Sequence, residues 1–576
     1  MLQTATLLRY NPSRSRGRSR SPTRDSSNAF RDRPDQARPP STFSPSPEQH
    51  RTRQKTFIDL TRPDEEGSQS RPYDLTIDDH VRRSDQTRDF ELKDGTFMRV
   101  TSRETDEHQQ KWIIGRRLIN QNTPDLLMPE SRTPKELVWT SFCDNSAREY
   151  ERESRVPAAD ARRKCKIVFT NVPHAMLNIN HVQNAPDNLF FCRWQRMTTT
   201  EDTVKGNQNM AGRTEHIHIA DADVEIIELR HGMSQTARMA PAELRRGFRG
   251  RGNCDVGGRS SSGAYTYADF FCGAGGASQG AHDAGLALRL ALDKDKDAIR
   301  TYSRNFARPG LDIQSADISN FITKYPAARG GFVVDIVHAS PPCQPFSRAN
   351  TTPNAANDAM NLATFTTVRD ILEICKPRVV TLEEADGLTD GKNRDYLRLL
   401  LSCFIEFGYS VQWRVVEMER YGVPQSRKRF VLIASGPGEK LSPFPAPTHG
   451  LQPGLHPPPT IRQAIRKIPY HPRLHNIAAT RLFDPPKSQL SWDKVTGTIT
   501  CNGGAAKVYH PRGRRKYTMR ELLALQTFPA SFDFPRENPP TKTLMRRQIG
   551  NAVPPAFSRV LFETVRDALK ENDVKE

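Results

Sequence analysis

The stretch "ASPPCQPFSRAN", residues 339–350, sets Cys343 among three prolines. Each proline fixes its own φ, so the backbone around the thiol is stiff. A thiolate is a strong nucleophile once nearby donors lower its pKa. A rigid loop suits a sulfur that must meet a reacting atom at a set place and angle. Forty residues on, "LEEADGL" supplies Glu383 and Glu384. No histidine accompanies the thiol in these motifs, which argues against a Cys-His protease. A thiol beside a carboxylic acid suits attack on an electron-poor ring. The acid hydrogen-bonds a ring nitrogen and an amino group, so negative charge leaves the ring as the thiol adds.

The other polar candidates recur at the ends of apolar runs. "DFFCGAGGASQG", 269–280, carries Gly273, Gly275 and Gly276, which permit a tight turn and close backbone approach to a ligand. It has no GK[ST] and no complete G-x-G-x-x-G. Asp293 closes the next apolar run and could accept from ribose hydroxyls. Asp317, in "SADIS", could hold an adenine amino group. For both, a helix N-cap or surface turn is the plain alternative. From Tyr267 to Leu569 apolar strands ("YADFF", "LALRLALD", "VVDIVHAS", "RVVTLEEA", "RFVLIAS") alternate with helical stretches such as "KDAIRTYSRNF", "FTTVRDILEICK" and "NRDYLRLLLSCFIEFG". That alternation predicts an α/β fold, Rossmann-like, with a parallel sheet covered on both faces. Its ligand crevice lies beyond the carboxyl ends of the strands.

The chain has 576 residues, 36% of them apolar, with 43 prolines and a formal charge of +19. A globular part diluted by unstructured sequence, with a polyanionic partner, fits these numbers. Nine scattered cysteines without a CxxC pair exclude a zinc ribbon and fit a reducing compartment; no metal site is expected. No apolar run approaches the ~18 residues that span a bilayer, which predicts a soluble chain.

Residues 1–90 read as a disordered basic tail rich in Arg, Ser and Pro. The first 24 hold six arginines and no acid; prolines and RS dipeptides fit a tail better than a mitochondrial presequence. Two islands, "FIDLTRPDEE" and "YDLTIDDH", resemble SUMO-interacting motifs, able to add as a strand to a partner's sheet edge. Residues 91–250 read as a mainly β domain through "GTFMRV", "KWIIGRRLI", "KELVWTSF", "KCKIVFT" and "NLFFCRWQ". It weakly resembles bromo-adjacent homology (BAH) modules, which implies histone or nucleosome contact. His216 and His218 in "HIHI" read as strand residues without a metal role. A flexible basic linker covers 251–264, its basic run starting at Arg245.

"DFFCGAGG", "SPPCQPFS", the glutamate after the fifth strand, "YGVPQSRKRF", "TMRELLALQTFP" and "RRQIGNAVPP" stand in the order and spacing of the DNA (cytosine-5)-methyltransferases. The resemblance covers 265–569. The N-terminal half and the altered fifth-strand motif look like the fungal RIP-defective, repeat-silencing type. The resemblance implies nuclear localisation and an S-adenosyl-L-methionine site lined by Phe270, Gly273, Gly275, Gly276, Asp293, Asp317, Pro342, Asn551 and Val553. Cys343 would attack cytosine C6, and carbon 5 of the resulting enamine would take the methyl group. Glu383 would contact the ring nitrogen and amino group, while Arg427 and Arg429 would hold the base and the catalytic loop. Gln344, Ser347 and Gln425 would meet the substrate. A cytosine in a duplex must be flipped out to be reached. Residues 437–516 correspond to the target-recognition region, with "HPRGRRK" available for phosphates.

One triplet departs from the family. Where Glu-Asn-Val is usual, this chain has Glu383-Glu384-Ala385, and the second carboxylate is expected to raise the pKa of the first. That departure favours a second reading, a catalytically weak chromatin-binding homologue. A third is transfer-RNA methylation, but "TITCNGG" stands where that branch has Cys-Phe-Thr.

Overall fold

The computed structural model describes residues 88–123, 126–128, 135–144, 150–151, 153–171, 187–200, 213–218, 226–228, 234–236, 239–250, 263–327, 331–342, 346, 367–466, 468, 473–501 and 508–574. Cys343, Gln344, Ser347 and both SUMO-like islands therefore lie outside the described residues.

The N-terminal part is built from β1 (Asp89–Leu92), β2 (Phe97–Thr105), β3 (Lys111–Asn120), β4 (Glu136–Asp144), β5 (Ala161–Phe169), β6 (Leu189–Thr200) and β7 (Arg213–His218). Alternation of polar and apolar residues, as in "KCKIVF", sends every second side chain inward. Phe97, Leu118, Trp139, Ile167, Phe169 and Phe190 make the resulting core. The ladder runs β6-β5-β1-β2-β3-β4, and a further β4–β6 pairing closes it on itself. A closed ring has no free edge within it.

The second part contains β8 (Thr266–Phe270), β9 (Ala287–Asp293), β10 (Asp312–Ser315), β11 (Ile336–Ala339), β12 (Val379–Ala385), β13 (Ser410–Glu417) and β14 (Lys428–Ser435). Their order is β10-β9-β8-β11-β12-β14-β13. The first five run parallel, and β14 lies antiparallel between β12 and β13. Helices α1 (Pro241–Arg249), α2 (Gly276–Asp283), α3 (Lys296–Phe306), α4 (Ile318–Lys324), α5 (Arg394–Glu406), α6 (Ile461–Ile465), α7 (Met519–Leu525), α8 (Lys542–Asn551) and α9 (Pro555–Val574) complete it. Strand residues divide by parity between two apolar layers. Tyr267, Ile336, Val379 and Ile433 pack with α2, α3 and α9. Phe270, Leu292, Leu382 and Leu432 pack with α4, α5 and the helix over 367–375.

Three features differ from the sequence reading. The sheet is not wholly parallel, because β14 enters from a hairpin with β13, whose "SVQWRVVE" is a strand outside the alternation predicted above. The basic run from Arg245 begins as helix: Pro241 stands in its first turn, Glu243 and Arg249 suit its two ends, and Gly250 (φ 86°) stops it. Its Phe248 ring meets Tyr409 edge-on at 5.6 Å. Finally, β7 pairs antiparallel with β13, Val411 opposite His216, so the two parts share one sheet.

Candidate active site

β8 delivers the glycine turn. Phe271, the next residue, has φ 61°, and Gly275 has φ 92° as the cap of α2. The Gly273 N–H donates to Asp293 Oδ2 at 2.8 Å, tying the turn to the end of β9. Burial raises the Asp293 carboxyl above its ordinary pKa. A Cβ on Gly275 would lie 2.3 Å from the Phe306 ring, and one on Gly276 2.3 Å from the Val553 carbonyl oxygen. Glycine is therefore dictated at both positions, and the two close approaches shape a backbone cradle at the N-terminus of α2.

Beneath the cradle sits Asp269, fully buried, which the sequence reading passed over. Its Oδ2 accepts from Ser278 Oγ at 2.5 Å, and Ser278 Oγ accepts from Tyr302 at 2.8 Å. Burial, reinforced by Asp293, pushes the Asp269 carboxyl up to about 7. The available signal was an acid inside the apolar run "YADFF".

Phe270 calls for a correction. Its ring is fully buried in the layer under the sheet, edge-on to Phe321 at 5.0 Å, because it is the last residue of β8 on that face. Phe271, just past the end of β8, is half-buried and packs partly against the same layer. Asp317 is exposed and caps α4, its side chain accepting from Ser319 N–H at 3.1 Å. Pro342 is half-buried, three residues past the end of β11.

At the end of β12, buried Glu383 forms an ion pair with Arg429 Nε at 2.8 Å, with Arg427 Nη2 at 3.9 Å. Arg427 is itself buried and donates to Gly550 O at 3.1 Å, joining β14's approach to the end of α8. Asn551 is exposed and accepts from the Cys501 thiol. Gln425 also calls for a correction. It is fully buried, its amide donating to Leu525 O (3.1 Å) and Gln526 Oε1 (2.5 Å) and accepting from Ile499 N–H (3.1 Å). Both ends of that side chain are used inside the protein, so it braces the 496–499 segment against α7. The carboxyl that burial and a neighbouring charge push well above its ordinary range is that of Glu384.

The described residues of 437–516 are mostly irregular, with α6 and a two-residue pairing of Thr496–Gly497 to Gln425–Ser426. Burial and then Arg546, Arg481 and Lys487 lower the Lys516 pKa, so four cations crowd one patch. Such crowding is relieved by a polyanion. Among the described residues no cluster of three or more His, Cys, Asp or Glu could hold a metal ion. No described helix is long and apolar enough to cross a membrane.

A covered sheet with one reversed strand, a glycine cradle after its first strand and a carboxylate–arginine pair at its fifth define a Rossmann-like methyltransferase. A family model for C-5 cytosine-specific DNA methylase matches residues 265–482 and 473–567, more than half of the chain. The chain belongs to that family, whose members take their methyl group from S-adenosyl-L-methionine, and it is an enzyme of that class. It is 28% identical to the type II methyltransferase M.XorII of Xanthomonas oryzae pv. oryzae over 378 residues, covering 53% of this chain and 86% of that protein. It is 27% identical to the type II methylase M.HgiDII of Herpetosiphon aurantiacus over 350 residues, covering 52% and 95%. The solved Dnmt2 methyltransferase of S. pombe is 16% identical, covering 54% of this chain and 99% of that one, with a TM-score of 0.40.

Proposed function

We propose that the protein methylates carbon 5 of a flipped cytosine in DNA, with Cys343 as nucleophile. The observation that carries this reading is the buried Glu383–Arg429 pair at the end of β12, beside the strand that runs into Cys343. Held by Arg429, the Glu383 carboxyl is aimed and kept from rotating. It takes the cytosine ring nitrogen and amino group while the Cys343 thiolate adds to C6, so the ring's negative charge is drawn to the glutamate end. After methylation at carbon 5, loss of the carbon 5 proton and elimination return the thiol.

S-adenosyl-L-methionine supplies an electrophilic methyl group. The residues present suit it: Gly275 packed on the Phe306 ring and Gly276 packed on the Val553 carbonyl hold the turn in shape, Gly273 has open space beside it, and Asp293 offers a carboxylate to hydroxyl groups. Gly273 belongs to the same turn and the Val553 carbonyl presses on Gly276; in this reading Asn551 and Phe271, rather than the buried Phe270, would reach the methyl donor. The crowded cations around Lys516 supply phosphate contacts to a nucleic acid.

The finer reading is a nuclear enzyme of the fungal RIP-defective, repeat-silencing type. In it, 1–90 would be a tail engaging SUMO or sumoylated chromatin proteins and 91–250 a BAH-like module for histones or nucleosomes. Residues 251–264 would be the linker, 265–569 the catalytic domain and 437–516 its target-recognition region.

The test uses full-length protein and tritiated S-adenosyl-L-methionine with unmethylated DNA, hemimethylated DNA or transfer RNA. Label on DNA that disappears in Cys343→Ala, with a trapped adduct on 5-fluorocytosine DNA, is the expected result. Label confined to transfer RNA, or no label and no adduct, overturns it.

A further inference from the structure

Among the described residues four large apolar side chains are exposed, and three of them, Leu451, Ile477 and Leu482, lie between 437 and 516. Single apolar residues on a surface are ordinary. Ile477, 52% exposed, stands out by what holds it and what surrounds it. Asn476 Oδ1 accepts from the Ala479 N–H at 3.1 Å, and Ile477 O accepts from the Thr480 N–H at 3.0 Å, so the turn is closed on itself. Lys542 Nζ, from the first residue of α8, donates to Ala479 O at 3.1 Å and ties the turn to that helix. The turn is braced, yet its isoleucine belongs to neither apolar layer of the sheet.

The ground around it is cationic. Residues 473–492 hold one acid, Asp484, and residues 500–520 hold none. The chain at 481–483 runs antiparallel to 514–516, with Phe483 N–H donating to Arg514 O at 2.9 Å and Lys516 N–H to Arg481 O at 3.1 Å. That pairing gathers Arg481, Lys487, Lys516 and Arg546, and none of the four pairs with a carboxylate among the described residues. Lys487 sits instead over the Phe483 and Tyr509 rings, at 4.8 and 5.1 Å. The patch also borders the candidate active site. Arg546 precedes Gly550 by one turn of α8, about 6 Å along its axis. Gly550 O takes the Arg427 donor at 3.1 Å, and Arg427 Nη2 lies 3.9 Å from Glu383.

We propose that the 476–480 turn is a base-reading tip: Ile477, with Asn476 beside it, enters the major groove of duplex DNA next to the target cytosine, while Arg481, Lys487, Lys516 and Arg546 grip the phosphates. The proposal rests on the reading of the protein as a DNA methyltransferase. Phosphate contacts set register, and only contacts to base edges carry sequence information. Asn476 spends its carbonyl on the turn, so its amide has N–H groups to offer. A donor beside an apolar group complements the major-groove edge of thymine, where O4 accepts and the C5-methyl is apolar. Lys542 and Gly550 are about 12 Å apart along α8, the span of roughly four base pairs. The tip therefore selects thymine in the flank and leaves the cytosine to Glu383.

The experiment equilibrates full-length protein and S-adenosyl-L-homocysteine with duplexes that carry one cytosine between randomised flanks, then sequences the bound and free pools. Wild type is expected to enrich thymine about fivefold or more at one position within roughly four base pairs of the cytosine. Ile477→Ser loses that enrichment with its Tm unchanged. Leu482→Ser, exposed but outside the turn, keeps it. Arg481→Ala and Lys516→Ala bind all sequences at least about threefold more weakly, and each lowers the salt slope by about one. No thymine enrichment by wild type, an unchanged profile in Ile477→Ser, or a loss spread evenly over all sequences overturns the proposal. Binding is read without methyl transfer, so the two readings fail separately. Protein that shows the thymine preference but transfers no label fails the catalytic reading alone. Label on DNA with the same flank profile in wild type and Ile477→Ser fails the tip alone.

Discussion

The backbone carbonyl of Val553 is where a side chain on Gly276 would have to be. A Cβ there would lie 2.3 Å from that oxygen and 3.0 Å from the Ala552 Cβ. The first and last motifs of the catalytic half, nearly three hundred residues apart in the chain, therefore meet backbone to backbone. Gly276→Ala must push α2 away from the turn before α9, at the ~1–3 kcal/mol typical of overpacking. Calorimetric titration is expected to show S-adenosyl-L-methionine affinity reduced at least tenfold. Unchanged affinity would separate this contact from cofactor binding.

Arg429 is predicted to matter for rate rather than for cofactor binding. Its Nε sits 2.8 Å from the Glu383 carboxylate, whereas Arg427 is 3.9 Å away and spends a donor on the Gly550 carbonyl. Arg429→Ala frees the Glu383 carboxyl to rotate off the base. Loss of one preorganised contact of this kind costs ~10²–10³ in kcat. Single-turnover label transfer measures it, with KM for S-adenosyl-L-methionine expected to stay within about twofold.

Asp269 predicts a pH dependence of stability. Its carboxyl is pushed up from 3.8 to about 7 by burial, so its folded pKa lies above its unfolded one. The sign follows from linkage: its contribution is full below 3.8 and is lost as pH rises to about 7. At about 1.4 kcal/mol per unit, the cost above that range is roughly 4 kcal/mol. Asp269→Asn retains an acceptor for Ser278 and cannot ionise. Its Tm should exceed that of wild type at pH 8 and match it near pH 4. The reverse order would place the shift elsewhere.

How legible this was in the sequence depended on which forces act along the chain and which act across it. Alternation and apolar runs foretold the strands from Phe97 to Leu189, and Asp293 was found because it closes a strand beside the glycine turn. The face of a strand on which a residue lies decided the misreadings. Phe270 and Phe271 are adjacent aromatics after the same acid, yet the first, the last residue of β8, is fully buried edge-on to Phe321, and the second, past the strand at φ 61°, is half-buried. Gln425 stands in an arginine-rich motif that suggests a substrate contact. Its partners at Leu525, Gln526 and Ile499 are seventy to a hundred residues away, beyond any local signal. The same holds for α1: its composition reads as linker, and its stability comes from where Phe248 and Arg249 land.

That docking leads to a last prediction. Arg249 is buried and pairs with Asp335 at 3.4 Å, while Asp335 also accepts from Thr266 N–H at 2.9 Å at the start of β8. Removing the arginine leaves a buried carboxylate without its cation, a change that typically costs 3–5 kcal/mol, here about 3 since Thr266 still bonds it. Arg249→Leu should therefore lower Tm by several degrees without changing KM for S-adenosyl-L-methionine. A fragment beginning at residue 264 should fare worse. It loses α1, and it also bares β13, whose Val411 and Trp413 pair with β7 in the whole chain. A bared, apolar edge strand is a template for association. Size-exclusion chromatography with light scattering is expected to show the fragment as oligomers or aggregate at concentrations where the full chain is not. A monodisperse fragment with the melting temperature of the full chain would mean that the shared sheet contributes nothing to the catalytic half.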